Sequence, residues 1–261
     1  MGFARSATFD DLRPVLRLLL AAALLAAALL PAALGAQSLS PQELAARHDS
    51  LIGGRAVLEG HTSMRMSGTF SIPDAGIEAP LEILKLRPNK YLFRTSLGQL
   101  GEVLSGYDGT NAWAVQPGQG PIVLQPDLAT QVKEQADFFG DLHDYSRFAK
   151  VELADDGDFE GHRVHRVRMV RASGDTLMEF FDVETGLSAG SVTAVNSPVG
   201  RQQSTTVVGE YKDFGGLRVA TRIEQRNPQF RLIISIVAVE FDLVDEAAVA
   251  PLESVRALIK P

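Results

Sequence analysis

The chain reads as a mainly β protein, an antiparallel meander of short strands, and three observations carry that reading. Apolar residues alternate with a period of two over most of the sequence beyond residue 60. Turn-forming clusters of Gly, Pro, Asn and Asp recur at short intervals. The alternating runs follow one another without the long helical crossovers that parallel pairing demands.

The first segment is not part of that fold. Arg5, Arg13 and Arg17 precede Leu18 to Leu30, where every residue is Leu or Ala, and Pro31-Ala-Ala-Leu-Gly-Ala36 follows. A basic stretch, an apolar stretch and a small-residue site form the pattern of a cleaved export signal, so residues 1–36 are expected to be removed and the mature chain to begin at Gln37. An uncleaved anchor is the alternative, since Leu18 to Ala36 approaches the length that spans a bilayer, but Pro31 and Gly35 interrupt the run late. Asp10 and Asp11 are atypical of such a basic stretch.

Residues 37–261 are expected to form one domain. A capping box, Ser40-Pro41-Gln42-Glu43, starts a helix that runs through Leu44 and Leu51 and stops at Gly53-Gly54. Strands come next. Met64, Met66, Phe70 and Ile72 share a face opposite Arg65, Ser67 and Thr69; Tyr91, Phe93 and Leu97 oppose Lys90, Arg94 and Ser96. Turns are expected at Pro73–Gly76, Pro88-Asn89, Asp156-Gly157, Ser173–Asp175, Glu184–Gly186 and Gly215-Gly216, and Asp108-Gly109 has the composition of a two-residue type I′ hairpin turn. Leu128, Val132, Ala136 and Phe139 place a helix over Asp127 to Phe139. In the strand led by Leu217, Val219 and Ile223 the opposite face carries Arg218, Arg222, Glu224 and Arg226. The run from Leu232 to Val239 differs, being apolar on both faces: either a helix covers its outer side, or one side borders a cavity. A short helix is expected over Pro251 to Lys260. Roughly ten to twelve strands result.

Composition excludes several classes of function. No cysteine is present, so neither a disulfide nor the acylated Cys of a lipid-anchored protein is available. An exported chain without that anchor would diffuse freely between membranes. The chain carries a formal charge of -7; without the leader's three basic and two acidic residues, 22 basic and 30 acidic remain, a net charge of -8, which disfavours nucleic acid as a partner.

Candidate catalytic motifs fail on geometry. Gly186-Leu-Ser-Ala-Gly190 matches the nucleophile-elbow pattern, but a hairpin turn and another alternating segment surround it where the motif needs a helix after Ser188. His162 and His165 fall on opposite faces of a strand and cannot share a metal ion. Asp155, Asp156 and Asp158 read as a solvated acidic turn, and Glu134 with Asp137 as an exposed helix pair. No catalytic set, metal or cofactor is therefore expected. An apolar interior remains, and flexible thioethers and wide aromatics are residue types that can rearrange around an acyl chain. The candidates for lining such a cavity are Met64, Met66, Phe70, Tyr91, Phe93, Trp113, Val132, Phe139, Val167, Met169, Ile223, Leu232, Ile234 and Ile236.

The order and spacing of several blocks resemble the periplasmic outer-membrane lipoprotein carriers, the LolA-like and LolB-like proteins and the wider group of outer-membrane lipoprotein-sorting proteins. The blocks are Tyr107 to Trp113 followed by Pro117-Gly118, Glu134 to Phe138, Asp141 to Tyr145, Val151 to Leu153, Gly161 to Arg168, Gly174 to Asp182 with Thr185 to Leu187, and Glu210 to Asp213. They span most of residues 40 to 245. The resemblance implies a half-open antiparallel β-barrel whose concave side is closed by helices, the N-terminal helix and Asp127 to Phe139 among them, around a cavity for the acyl chains of lipoproteins or another envelope lipid. It implies transfer without chemistry, with inner- and outer-membrane transfer proteins as partners; a lipid-sensing or protein-interaction module of the envelope is the alternative it leaves open. None of the Arg residues here is matched to the family's lid-latching Arg. The missing Cys favours the mobile LolA-like member over a membrane-bound recipient.

Overall fold

The computed structural model describes residues 39–197 and 200–259; the expected export signal and cleavage site lie outside the described residues. Two helices open the chain, α1 (Pro41–Leu51) and α2 (Gly54–Glu59). The capping box forms as expected: the Glu43 backbone N–H donates to Ser40 Oγ over 3.3 Å and the Ser40 N–H donates to the Glu43 carboxylate over 2.7 Å. The break falls at Gly53, whose φ of 110° is open only to glycine and where a Cβ would stand 2.3 Å from the Gly216 carbonyl oxygen. The chain then resumes as α2, a helix absent from the sequence reading.

Thirteen strands follow, one more than the upper expectation. They are β1 (Ser63–Ile72), β2 (Ile77–Leu86), β3 (Lys90–Ser96), β4 (Glu102–Tyr107), β5 (Ala112–Gln116), β6 (Gly120–Val123), β7 (Lys150–Phe159), β8 (His162–Val170), β9 (Thr176–Asp182), β10 (Ser188–Ser197), β11 (Gly200–Phe214), β12 (Leu217–Arg226) and β13 (Arg231–Phe241). All belong to one antiparallel sheet ordered β6-β5-β4-β3-β2-β1-β13-β12-β11-β10-β9-β8-β7. Two meanders thus grow outward from the central β1·β13 pair, and β6 and β7, consecutive in the chain, end as the two opposite edges. The sheet is an open barrel. Its edges are joined covalently by a strap over the concave face, made of α3 (Pro126–Ala136) and residues 137–149.

Several local expectations are corrected. Asp108-Gly109 is not a two-residue turn: β4 and β5 are joined by residues 108–111, where the Asp108 carboxylate accepts from the N–H groups of Thr110 and Asn111 at 2.8 and 2.6 Å. Asp156-Gly157 is not a turn either, and the acidic run lies within β7, where the pairing with β8 shifts between Ala154 and Gly157. A bulge and three carboxylates blunt this long edge strand, whereas β6 is blunt by being four residues long. The central helix stops at Ala136 rather than Phe139, because Asp137 leaves helical geometry (ψ 119°) and its carboxylate accepts from the Phe139 N–H at 2.9 Å. The last helix, α4, covers only Glu253–Arg256.

The second alternative holds for the apolar run in β13, whose inner side borders a cavity through Ile236, and a bulge accounts for the rest. Met66 pairs with Val239 and Gly68 with Ile236, so Val237 is the extra residue of a bulge. Ile234, Ile236 and Val239 all pack inward although a regular strand would put Ile236 and Val239 on opposite faces, and Val237 is 69% exposed.

The two faces of the sheet carry separate cores. On the concave side α3 packs Ala129, Val132 and Ala136 against Leu81, Ile83, Tyr91, Tyr107 and Ile236. Further along, α2 and the strap pack Leu58, Phe138 and Leu142 against Met64 and Leu217, and α1 sets Leu44 against Val167, Met169 and Phe181. On the convex side the C-terminal segment lays Val244, Val249 and Val255 over Leu84, Leu92, Leu104 and Trp113. No described helix is long and apolar enough to cross a membrane.

Candidate functional site

A cavity of about 450 Å³ lies between the concave face and its covering segments. That is within the range of small-ligand pockets. Its floor is Met66, Ile83, Met169, Leu177, Val208, Val219, Ile223 and Ile236, side chains from seven strands made contiguous by the sheet's alternation; Ile52, Leu142, Tyr145 and Phe148 form the roof. Glu134, Asp141, Asp144, Arg147, Arg171 and Arg218 also line the cavity, and a further set of polar groups stands together: His48 on α1, His143 on the strap, Glu179 on β9 and Tyr211 on β11.

Those polar groups form one network. The His143 ring contacts carboxylates at both nitrogens, Nδ1 at 2.7 Å from Asp49 Oδ1 and Nε2 at 2.9 Å from Glu179 Oε1, while its backbone N–H donates to Asp49 Oδ2 over 3.1 Å. Burial opposes a charge on this imidazole, but the hydrogen bonds and negative charges of Asp49 and Glu179 outweigh it and hold the pKa up to about 10. His143 is therefore a cation at neutral pH, and it ties the strap to α1 and to β9 at once. His48 is its opposite. Its Nδ1 accepts the Ser188 N–H over 3.0 Å and its ring meets His143 edge-on, centroids 5.1 Å apart; burial, then the neighbouring His143 charge, push its pKa down, so it stays neutral. The Tyr211 hydroxyl donates to the Ser188 carbonyl over 3.0 Å. Tyr145 also lines the cavity, and its buried hydroxyl has no partner among the described residues. Burial, then the charges of Glu179 and Asp49, push its pKa up, so it remains a neutral donor. At the other end of the strap Arg171 grips Glu134 of α3 with two bonds, 2.7 and 3.1 Å.

Ser188 opens strand β10 rather than a helix, so no nucleophile elbow is built. Among the described residues one group offers metal-ligand types in proximity, His48, Asp49 and His143, whose donor atoms lie within 4.8 Å of one another. Both His143 nitrogens face carboxylates and His48 Nδ1 accepts a backbone N–H, so the network is filled by protons. His162 and His165 go to different carboxylates, Asp182 at 3.0 Å and Asp156 at 2.8 Å.

The structure distributes the fourteen sequence candidates unevenly. Met66, Met169, Ile223 and Ile236 line the cavity. Phe70, Tyr91, Phe93, Val132 and Ile234 pack in the adjoining core under α3, Met64 and Phe139 in the core under α2, and Val167 beneath α1; Leu232 is half-buried near the far end of β13. Trp113 is misplaced by the sequence reading. It pairs with Gly106 on the convex face and is covered by the C-terminal segment, the sheet's thickness away from the cavity. The sequence reading missed His48, Asp49, His143, Glu179 and Tyr145, which come from α1, the strap and β9; no local spacing joins them.

No family model matches the chain, and no curated protein matches it. Solved structures do. A LolA superfamily protein from Nitrosomonas europaea aligns with a TM-score of 0.54 at 10% identity, over 82% of this chain and 99% of that one. A DUF1329 family protein from Desulfovibrio piger gives 0.55 at 9% identity over 79% and 94%. A domain described as an outer membrane lipoprotein-sorting protein, from Vibrio parahaemolyticus, gives 0.50 at 12% identity over 79% and 92%. At such identities what is shared is the fold, and the fold of this chain is the LolA-like open barrel.

Proposed function

We propose that residues 37–261 form a soluble periplasmic carrier that holds the acyl chains of a lipoprotein or another envelope lipid under the strap and transfers them without chemistry. The cavity carries this reading: about 450 Å³, open on one side, floored by Met, Ile, Leu and Val. Each methylene moved from water into it contributes about 0.8 kcal/mol, so affinity needs no directional contacts, and the Tyr145 hydroxyl is a polar handle for a carbonyl oxygen near the chain's head. The shared fold with a protein described as lipoprotein-sorting supports the client class, and the N-terminal export signal supports the compartment. Absence of an acylatable Cys supports a diffusing carrier.

The test is to isolate the mature protein from an envelope fraction under non-denaturing conditions and identify what accompanies it by mass spectrometry. Acylated peptides or lipids at near-stoichiometric amounts are the expected result. A protein recovered without lipid, and unable to take up a fluorescent fatty acid, sinks the proposal.

A further inference from the structure

A second pocket, of about 240 Å³, lies on the convex face between the sheet and the C-terminal segment. Leu84, Leu92 and Leu104 form its floor, and Ala248 and Leu252 its cover. One rung of the sheet runs straight through it: Arg65 pairs with Leu84, Leu84 with Leu92, Leu92 with Gly106 and Gly106 with Trp113. Four strand spacings of ~4.8 Å set the outer two backbones about 19 Å apart. Their side chains then reach toward each other over the leucines. Gly106 makes this possible at the Trp113 end, since a Cβ there would stand 2.4 Å from the indole Cζ2, so the ring lies flat over β4.

The indole is 1% exposed, and its Nε1–H has no acceptor among the described residues. A buried donor without a partner is unfavourable, and an arriving acceptor removes that penalty. At the opposite end Glu82 is shared by two guanidiniums, Arg65 with Nε 3.3 Å from Oε1 and Arg94 on its other oxygen, so this trio keeps one net positive charge. Glu102, the one acid among the pocket's lining residues, and Arg94 both stand exposed to solvent, where water and salt screen them, whereas Arg65 Nε is buried and makes no hydrogen bond among the described residues, which leaves Arg65 as the cation that faces the pocket. A donor, an excess cation and an apolar floor between them describe one ligand chemistry. We propose that this pocket is a second binding site, on the opposite face of the sheet from the acyl cavity, for a small amphiphilic carboxylate. Its carboxylate accepts from the indole N–H and is drawn by the Arg65 charge across the pocket, and its short apolar body rests on the leucines.

Trp113 is the chain's single tryptophan, so one indole N–H resonance reports this pocket alone. Hexanoate is titrated into the full mature protein and that resonance followed, with hexanol as the uncharged counterpart. The expected result is a saturable downfield shift with hexanoate and none with hexanol. Arg65→Gln should weaken hexanoate at least about tenfold, the loss of one charge-assisted contact. Ala248→Leu, which fills the pocket from its partly exposed cover, should abolish the shift with the melting temperature unchanged. An unmoved indole signal overturns the proposal, as does an equal response to hexanol or a shift that survives Ala248→Leu.

Discussion

His143 Nε2 sits 2.9 Å from Glu179 Oε1, joining the strap to the middle of strand β9, and its other nitrogen is held equally closely by Asp49. A cation between two largely buried carboxylates is costly to remove from one side only, because the acids are then left unpaired. His143→Ala should therefore lower stability by about 3 kcal/mol in urea unfolding. Adding Glu179→Gln should recover part of that loss, a coupling readable in a double-mutant cycle. Equal or additive losses would show the network to be energetically idle.

The two histidines give stability opposite pH dependences. For His143 the folded pKa is raised, from an ordinary 6.5 to about 10. The stabilisation is thus complete below about 6.5 and lost as pH climbs toward 10, with a slope reaching ~1.4 kcal/mol per pH unit for one proton. For His48 the folded pKa is depressed, first by burial, so its neutral form stabilises above about 6.5 and the contribution falls as acid charges it. Together they place a maximum near pH 6.5. Unfolding free energy measured from pH 5 to 10 should show the alkaline decline in the native sequence and lose most of it in His143→Gln.

Ligand retention should separate the two faces of the sheet. Ile223 lines the cavity and is half-buried, so Ile223→Asp is expected to fold yet to lose bound lipid at least tenfold, through a charge forced against acyl chains. Trp113→Phe, on the convex face, should keep it. Retention by Ile223→Asp, measured as lipid per protein after gel filtration, would move the acyl site elsewhere.

Two strand glycines should behave in opposite ways. At Gly68 a Cβ would come 1.8 Å from the Ser235 carbonyl oxygen, backbone that cannot withdraw without opening the β1·β13 ladder. Gly68→Ala should cost about 3 kcal/mol or more. At Gly209 in β11 a Cβ meets nothing within 4 Å, so Gly209→Ala should lie within about 0.5 kcal/mol of the parent or slightly above it. Thermal melts of the pair check the central pairing.

Period-two alternation, the capping box at Ser40 and the apolar spacing of Leu128, Val132 and Ala136 are local signals, and the elements they announce are present. What stayed hidden depends on partners far away in the chain. The bulge at Val237 is set by pairing with Ser67 and Gly68, so a run that looked apolar on both faces is a strand that changes phase. Trp113 reads as a cavity residue because the segment that covers it, from Val244 to Val255, has no strong periodicity to announce a second core. The polar network joins Asp49 to His143 and His143 to Glu179, residues whose meeting is a property of the strap's path across the sheet.

The central β1·β13 ladder also sets the order in which this molecule can be completed. The first strand of the sheet is paired with the last, Met64 beside Phe241, so nearly the whole described chain lies between two halves of one contact. Until β13 arrives, β1 and β12 are bare edges, and the six-strand and six-strand halves have only the strap in common. A chain synthesised N-terminus first cannot complete the sheet until β13 is made. It must wait for its final residues, with sticky edges on display, and closure through so distant a contact is slow.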